Sequence, residues 1–347
     1  MNHISPEQFI DDLCIRHHIL QRIGIEVTYR CNERCKHCYV FDEKKSADGE
    51  LSLSQYINLF NELRRMETLH ITFTGGDPSQ RKDFTEILRG AVERDFAVSI
   101  YTNGTGYSEE TLAEIIHIRP GSMSFSIYSG IPEEHDKITG VKGSFQKTLA
   151  TLKKVKNAGI LITIKTPVMV PTLNGFSALK ALCEELGVRS EVSYFICATN
   201  HGNISPTKLR LGSVERYKQV MRLNQSKKEP MDFQPRDIHG AICGAGQLAL
   251  SVNPYGEVFP CNGFNYRLGN IKDTSIEEIW NGDALRRLYE LKFDQLGNKC
   301  LNCDYRDDCL YCLGSAFSEN GDMFIPVEEN CKIAQANYEL RLEKLSQ

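Results

Sequence analysis

In residues 22–40, RIGIEVTYRCNERCKHCYV, an apolar β-rich run ends in a polar loop that carries Cys31, Cys35 and Cys38. Five more runs of the same kind follow: TLHITFT (68–74), FAVSIYT (96–102), SMSFSI (122–127), ILITIKTPVMV (160–170) and SEVSYFI (190–196). Between them lie SLSQYINLFNELRRM, DFTEILRGAVERD, SEETLAEIIHI, SFQKTLATLKKVKNAG and GFSALKALCEELG, each with apolar residues at helical spacing. Alternation of this kind builds parallel sheets, either doubly wound or closed into β/α barrels. Six strands predict an α/β fold, a partial (β/α)6 barrel of the TIM type.

Barrels of this kind do their chemistry at the carboxyl ends of the strands. Those ends are chemically distinctive here. The first leads into the cysteine loop, the second into Thr74-Gly75-Gly76-Asp77-Pro78, the third into Asn103-Gly104-Thr105, and the fourth closes on Ser126-Ile127-Tyr128. All face one mouth in such a fold.

The bulk properties narrow the class. With 347 residues there is room for one large domain and a smaller module. A formal charge of −4 gives no reason to invoke nucleic acid or an anionic membrane. No apolar run approaches the roughly 20 residues of a membrane helix. The N-terminal MNHISPEQFIDD has acids where a secretory signal needs bases and an apolar core. The 13 cysteines, odd in number and clustered, therefore read as metal ligands in a reducing, cytoplasmic compartment.

Cys31, Cys35 and Cys38 form C-x3-C-x2-C with no fourth ligand nearby. A structural zinc site wants four closed ligands, and His37 is poorly placed to supply one beside Cys38. Three thiolates suit a 4Fe–4S cluster with one open iron. This loop, at the end of a first strand, resembles the motif of the radical S-adenosylmethionine superfamily, and the resemblance spans the βα region. It implies that an electron from the cluster cleaves S-adenosylmethionine to a 5′-deoxyadenosyl radical.

The same resemblance assigns further roles. Tyr39 stands where the family places an aromatic near the adenine. Gly75, Gly76 and Asp77 stand for its Gly-Gly-Glu segment, with glycines admitting the methionine amino group and a carboxylate offsetting its charge; the acid here is the shorter Asp. Asn103, Ser126 and Lys165 fall where ribose- and carboxylate-binding groups are common, Lys165 as partner of the ligand carboxylate. A solvated loop Asn and a Lys snorkelling out of a strand are the plainer readings of two of these.

Beyond residue 236 the pattern changes. Seven cysteines, Cys243, Cys261, Cys300, Cys303, Cys309, Cys312 and Cys331, fall in 89 residues, with a hairpin predicted at QLALSVNPYGEVFPC around Asn253-Pro254-Tyr255-Gly256. The spacing, Cys-x12-Gly-x4-Cys followed by C-x2-C-x5-C-x2-C and a last Cys, resembles the SPASM extension of radical S-adenosylmethionine maturases. That resemblance implies two auxiliary 4Fe–4S clusters, one on Cys243, Cys261 and Cys312, the other on Cys300, Cys303, Cys309 and Cys331. The usual C-x3-C step is C-x2-C at Cys309 and Cys312. The fourth position of the first cluster falls to a substrate thiolate or amide, or to a local ligand such as an Asp, and the spacing does not choose. A pair of zinc knuckles is the plainer reading of the same cysteines.

Cys14, Cys183 and Cys197 lie apart from both patterns and read as small buried residues. Cys197, near the end of the sixth strand, also has a place as the thiol hydrogen donor that an epimerase needs. The expected division is an N-terminal segment (1–21), the core barrel (22–199), a bridging helical region with SVERYKQVMRLNQ (200–235) and the auxiliary-cluster domain (236–347).

The resemblance points to a maturase that abstracts hydrogen from a peptide or protein, a ribosomal precursor peptide above all, and leaves a cross-link, an oxidation or an epimer. The stretch SIYSGIPEEHDKITGVKGSFQKTL after the fourth strand is similar to that of peptide maturases. Sulfatase maturation, which forms formylglycine, is the nearest alternative, but the residue after Cys261 is Asn262 where those enzymes carry an Asp base, and Asn takes no proton in that way. A dehydrogenase or epimerase of a small molecule is a further alternative. The implied partners are an electron donor such as flavodoxin or ferredoxin and a separate leader-binding protein.

Overall fold

The computed structural model describes residues 6–43, 45–225 and 235–346. The expected strands form as β1 (Arg22–Glu26), β2 (His70–Thr74), β3 (Ala97–Thr102), β4 (Ser122–Ser126), β5 (Leu161–Pro167) and β6 (Arg189–Ser193). Each pairs in parallel with the next, as βα crossovers require. Connecting helices cover the sheet with apolar faces at helical spacing. Helix Leu53–Arg65 is representative: Ser52 and Gln55 close a capping box at its start, and Tyr56, Leu59, Phe60 and Leu63 are its buried side. These residues join Ile23, Ile25, Ile71, Phe73, Val98, Ile100 and Phe125 in the main core.

Two strand ends fall short of their apolar runs. β5 stops at Pro167 and Val170–Thr172 turns into a 3-10 helix, because Pro167 and Pro171 cannot donate to a ladder. β6 stops at Ser193, so Phe195–Cys197 leave the sheet and are free to reach another part of the chain.

The predicted hairpin is present as β7 (Ala249–Val252) and β8 (Glu257–Phe259), which pair antiparallel across the turn at Asn253–Gly256. β9 (Gly269–Asn270) follows. Unexpectedly, β7 pairs in parallel with β1, so one sheet of order β6-β5-β4-β3-β2-β1-β7-β8-β9 runs across the division expected at residue 236. The sequence pattern changes there, whereas the hydrogen-bond ladder does not.

Two smaller cores complete the structure. Helix Val214–Asn224, the expected bridging helix, packs on the C-terminal helix Glu328–Leu345 through Val220, Met221, Ile333 and Leu340. Residues 226–234 of the bridging region lie outside the described residues. The third core gathers Ile242, Phe264, Phe293, Tyr311 and Leu313 among the C-terminal cysteines.

Candidate functional site: two groups of thiols

All 13 cysteines are free thiols. Cys31, Cys35 and Cys38 line one cavity of about 190 Å³ together with Tyr39, Gly75, Gly76, Asp77, Asn103, Ser126 and Lys165. The structure thus brings residues from each of the first four strand ends, and Lys165 of β5, to one opening, while Pro78, Gly104, Thr105 and Ile127 lie outside the lining.

The cysteine loop is held from two sides. Arg34 N donates to Thr139 O at 2.9 Å and Lys36 N to Ile138 O at 3.0 Å, so the loop is laced to the helix Pro132–Thr139. That helix is fixed in turn by its own charged residues. Asp136 accepts Gly143 N at 2.5 Å, Ser144 Oγ at 2.9 Å and Phe145 N at 3.0 Å, and these bonds hold its carboxyl below the usual range despite the opposing cost of burial. The charged stretch after β4 is therefore a brace for the cysteine loop. On the other side, Asn103 Nδ2 donates to Asn32 Oδ1 at 2.9 Å and approaches Cys31 Sγ at 3.7 Å.

Gly75 and Gly76 are required by the protein's own backbone. A Cβ on Gly75, whose φ is +131°, would stand 2.3 Å from Thr28 O, and one on Gly76 would stand 2.3 Å from Arg30 O. Gly76 N and Asp77 N donate to those two carbonyls. Asp77 is 1 % exposed, and its carboxylate accepts Ser79 N, Thr102 Oγ1 and Asn103 N at 2.7–3.0 Å. It ties the ends of β2 and β3 together, a role the short Asp side chain suits. Lys165 pairs with Glu191 and lies 4.3 Å from the Tyr101 ring centroid.

Burial pushes the Cys31 thiol up to about 12, with repulsion from Asp77 adding to it, and burial raises Cys35 and Cys38 as well. Bare thiols in such a place keep their protons; a cationic centre is what turns them into thiolates. A lone zinc ion draws its sulfurs to about 2.3 Å, and among the described residues no three such donors meet at one ion-sized point. Three thiols round a cavity fit the wider reach of an iron–sulfur cluster, and the lining leaves room beside it.

The C-terminal thiols form two further sets. Cys300, Cys303, Cys309 and Cys331 line a cavity of about 60 Å³ with Phe293, Tyr311 and Val327, and Cys312 reaches its wall. Burial, then repulsion among these thiols, raises Cys309 to about 12. Cys243, Cys261 and Cys312 make the second set: burial, followed by repulsion from Cys312, Cys243 and Cys197, raises Cys261 to about 12. The resemblance assigns Cys312 to the set of Cys243 and Cys261; in the structure it borders both sets.

Cys197 lies with this second set. Its thiol is raised to about 11 by burial and by the nearby Cys312 sulfur, and its Sγ is 3.3 Å from Ser315 Oγ. It is not part of the lining that Cys31 shares with Lys165.

One residue escaped the sequence reading. Glu26 of β1 is 3 % exposed, accepts Tyr39 Oη at 2.5 Å and Asn262 Nδ2 at 3.4 Å, and is pushed up to about 7 by burial against the effect of those bonds. Glu26 thus places a buried carboxyl beside Asn262. A carboxylate within the otherwise apolar run IGIEV was the available signal.

Residues 25–182 match the radical SAM superfamily, and residues 243–304 match SPASM, an iron–sulfur cluster-binding domain. The chain belongs to the radical SAM enzymes and carries a C-terminal SPASM domain. It is 27 % identical to an AdoMet-dependent heme synthase of Methanosarcina barkeri over 89 % of this chain and 95 % of that one. It is 24 % identical to a PqqA peptide cyclase of Granulibacter bethesdensis over 90 % of this chain and 87 % of the relative. The fold matches Streptococcus suis SuiB bound to precursor peptide SuiA with a TM-score of 0.69 and 15 % identity, covering 90 % of this chain and 77 % of that one.

Proposed function

We propose that this enzyme modifies a peptide or protein, a ribosomal precursor peptide above all, by hydrogen abstraction that leads to a cross-link, an oxidation or an epimer. When bound on Cys31, Cys35 and Cys38, the cluster with S-adenosylmethionine supplies the 5′-deoxyadenosyl radical. The chain does the rest. Tyr39 borders the adenine, Gly75 and Gly76 offer backbone to the methionine amino group, Asn103 and Ser126 take the ribose, and Lys165 meets the carboxylate. Asp77 positions Asn103 through the main chain. The division into barrel (22–199), bridge (200–235) and auxiliary domain (236–347) is kept as a division of roles along one sheet.

The observation that carries the peptide reading is the presence of two separate C-terminal thiol sets beside the barrel. Two auxiliary clusters give a substrate-derived electron somewhere to go after hydrogen abstraction, and a PqqA peptide cyclase is among the relatives. Flavodoxin or ferredoxin is the proposed electron donor in a reducing cytoplasm, with leader recognition by a separate protein. Among the described residues no helix is long and apolar enough to cross a membrane. The heme synthase relative makes a small-molecule substrate on the way to heme the competing reading.

The test offers the reconstituted enzyme the short peptides encoded beside its own gene, each uniformly deuterated, with S-adenosylmethionine and reductant. The proposal expects deuterium in the 5′-deoxyadenosine and a mass change in one peptide. Deuterium transfer from a labelled heme precursor, with none from any peptide, would overturn it.

A further inference from the structure

We infer that Cys197 is the fourth ligand of the auxiliary cluster held by Cys243, Cys261 and Cys312, so that the barrel and the C-terminal domain share one metal centre. The inference rests on the reading of those three cysteines as ligands and completes it.

The argument is one of placement. β6 ends at Ser193, and the chain that follows crosses to the C-terminal domain. It is pinned there. Arg210 donates to Ile196 O at 2.8 and 2.6 Å and pairs through Nη1 with Glu319 Oε2 at 2.9 Å, which fixes the residue before Cys197 against the helix Leu313–Asn320. Further on, Asn265 Nδ2 donates to Asn200 O at 2.6 Å, Thr199 Oγ1 to Asp42 Oδ2 at 2.8 Å, and Asn200 N to Tyr39 O at 2.9 Å. The segment around Cys197 is therefore tied at once to the loop after Cys38 and to the C-terminal domain.

All four cysteines border the first turn of that helix. Cys312 Sγ accepts Ser315 N at 3.3 Å, and Cys197 Sγ lies 3.3 Å from Ser315 Oγ. The Leu313 amide faces the Cys243 thiol. Cys261 arrives through the turn that follows it: a Cβ on Gly314 would stand 2.1 Å from Gly263 O, so only glycine lets the helix seat against this turn. Three protein thiolates alone leave an iron open; a fourth closes it. On ligation the Cys197 thiol releases its proton to solvent as the sulfur–iron bond forms, and no electron is transferred.

A closed cluster changes what this centre does. Neither a substrate thiolate nor a substrate amide can take a position that Cys197 fills, and a ligated sulfur has no hydrogen to donate. The centre is left to carry electrons. The hydrogen bond from Asn200 N to Tyr39 O ties the segment after Cys197 to the residue after Cys38, at the first site.

The test removes Cys31, Cys35 and Cys38 together, so that only auxiliary clusters remain, and compares this parent with versions that also carry Cys197→Ser or Cys197→Ala after anaerobic reconstitution. Iron and sulfide per chain are counted and the reduced proteins are examined by electron paramagnetic resonance. Ser, which supplies oxygen in place of sulfur, should keep the iron and shift the g-values of one cluster only. Ala should lose about one iron per chain, leaving a three-iron signal in the oxidised protein, or shift its spectrum when an external thiolate is added. The buried Cys183→Ala serves as the matched control and should leave iron and spectrum unchanged. Spectra and iron counts in both Cys197 variants identical to the parent would overturn this inference alone. A parent with no iron at Cys243, Cys261 and Cys312, judged by the unaltered spectrum of Cys261→Ala, would overturn the reading it rests on as well.

Discussion

The thiols after β1 and those of the C-terminal domain differ in what surrounds them. Cys31, Cys35 and Cys38 border a cavity whose other wall is polar and partly main chain, from Gly75-Gly76 to Ser126 and Lys165. Cys300, Cys303, Cys309 and Cys331 close on one another among Phe293, Tyr311 and Val327. The first arrangement leaves one side free for a small polar ligand and supplies the groups to bind it. The second is smaller, and its exposed lining is mostly apolar. On the proposed reading, the same side chain serves a reactive centre or a passive one according to how many sulfurs hold the cluster and what fills the remaining space.

The contrast can be broken from either end. The largest effect is expected at Phe293, which is 1 % exposed beneath the Arg236 guanidinium. Phe293→Ala should cost about 3–5 kcal/mol of stability. Chelator challenge should then strip iron from the C-terminal set faster while 5′-deoxyadenosine formation per intact first cluster is kept. Equal loss of both would show that the two regions are one cooperative unit.

On the other side, Gly75→Ala forces a Cβ against Thr28 O in a left-handed backbone, and a cost of about 2–4 kcal/mol is expected. Thermal unfolding should register it, and the first cluster should be lost in preference to the others. Wild-type retention of that cluster would mean that the strand ends do not position the loop.

A smaller effect tests the junction between the regions. The folded chain holds the Glu26 proton up to about pH 7 against an ordinary value of 4.5. The folded state thus binds more protons than the unfolded one between these values, and stability should fall as pH rises from about 4.5 to 7. Glu26→Gln should flatten that slope, a difference on the order of 1–3 kcal/mol across the window, read by denaturant titration. An unchanged slope would place the titrating group elsewhere.

The barrel was legible in the sequence because short β-rich runs, most of them with alternate residues buried, recur between segments of helical periodicity, and all six runs became parallel strands. The hairpin at Asn253–Gly256 was legible from its turn residues. Its pairing with β1 was not, since a parallel ladder between strands more than 200 residues apart leaves no local trace. For the same reason Cys197 stood alone in sequence: its neighbours Cys312 and Ser315 come from another element, and only the early end of β6 sends the chain toward them. Asp77 was read as a charge for a ligand; its carboxylate instead accepts the backbone amides of Ser79 and Asn103, as that of Asp136 accepts those of Gly143 and Phe145.

The central claim, that only the loop after β1 performs the radical chemistry, is tested most directly by measuring 5′-deoxyadenosine from S-adenosylmethionine and reductant in the anaerobically reconstituted protein and in Cys31→Ala/Cys35→Ala/Cys38→Ala. The account predicts product from the wild type and none above background from the variant, which still holds iron in its C-terminal domain. Product from the variant, or a wild-type protein that takes up zinc and cleaves nothing, would contradict it.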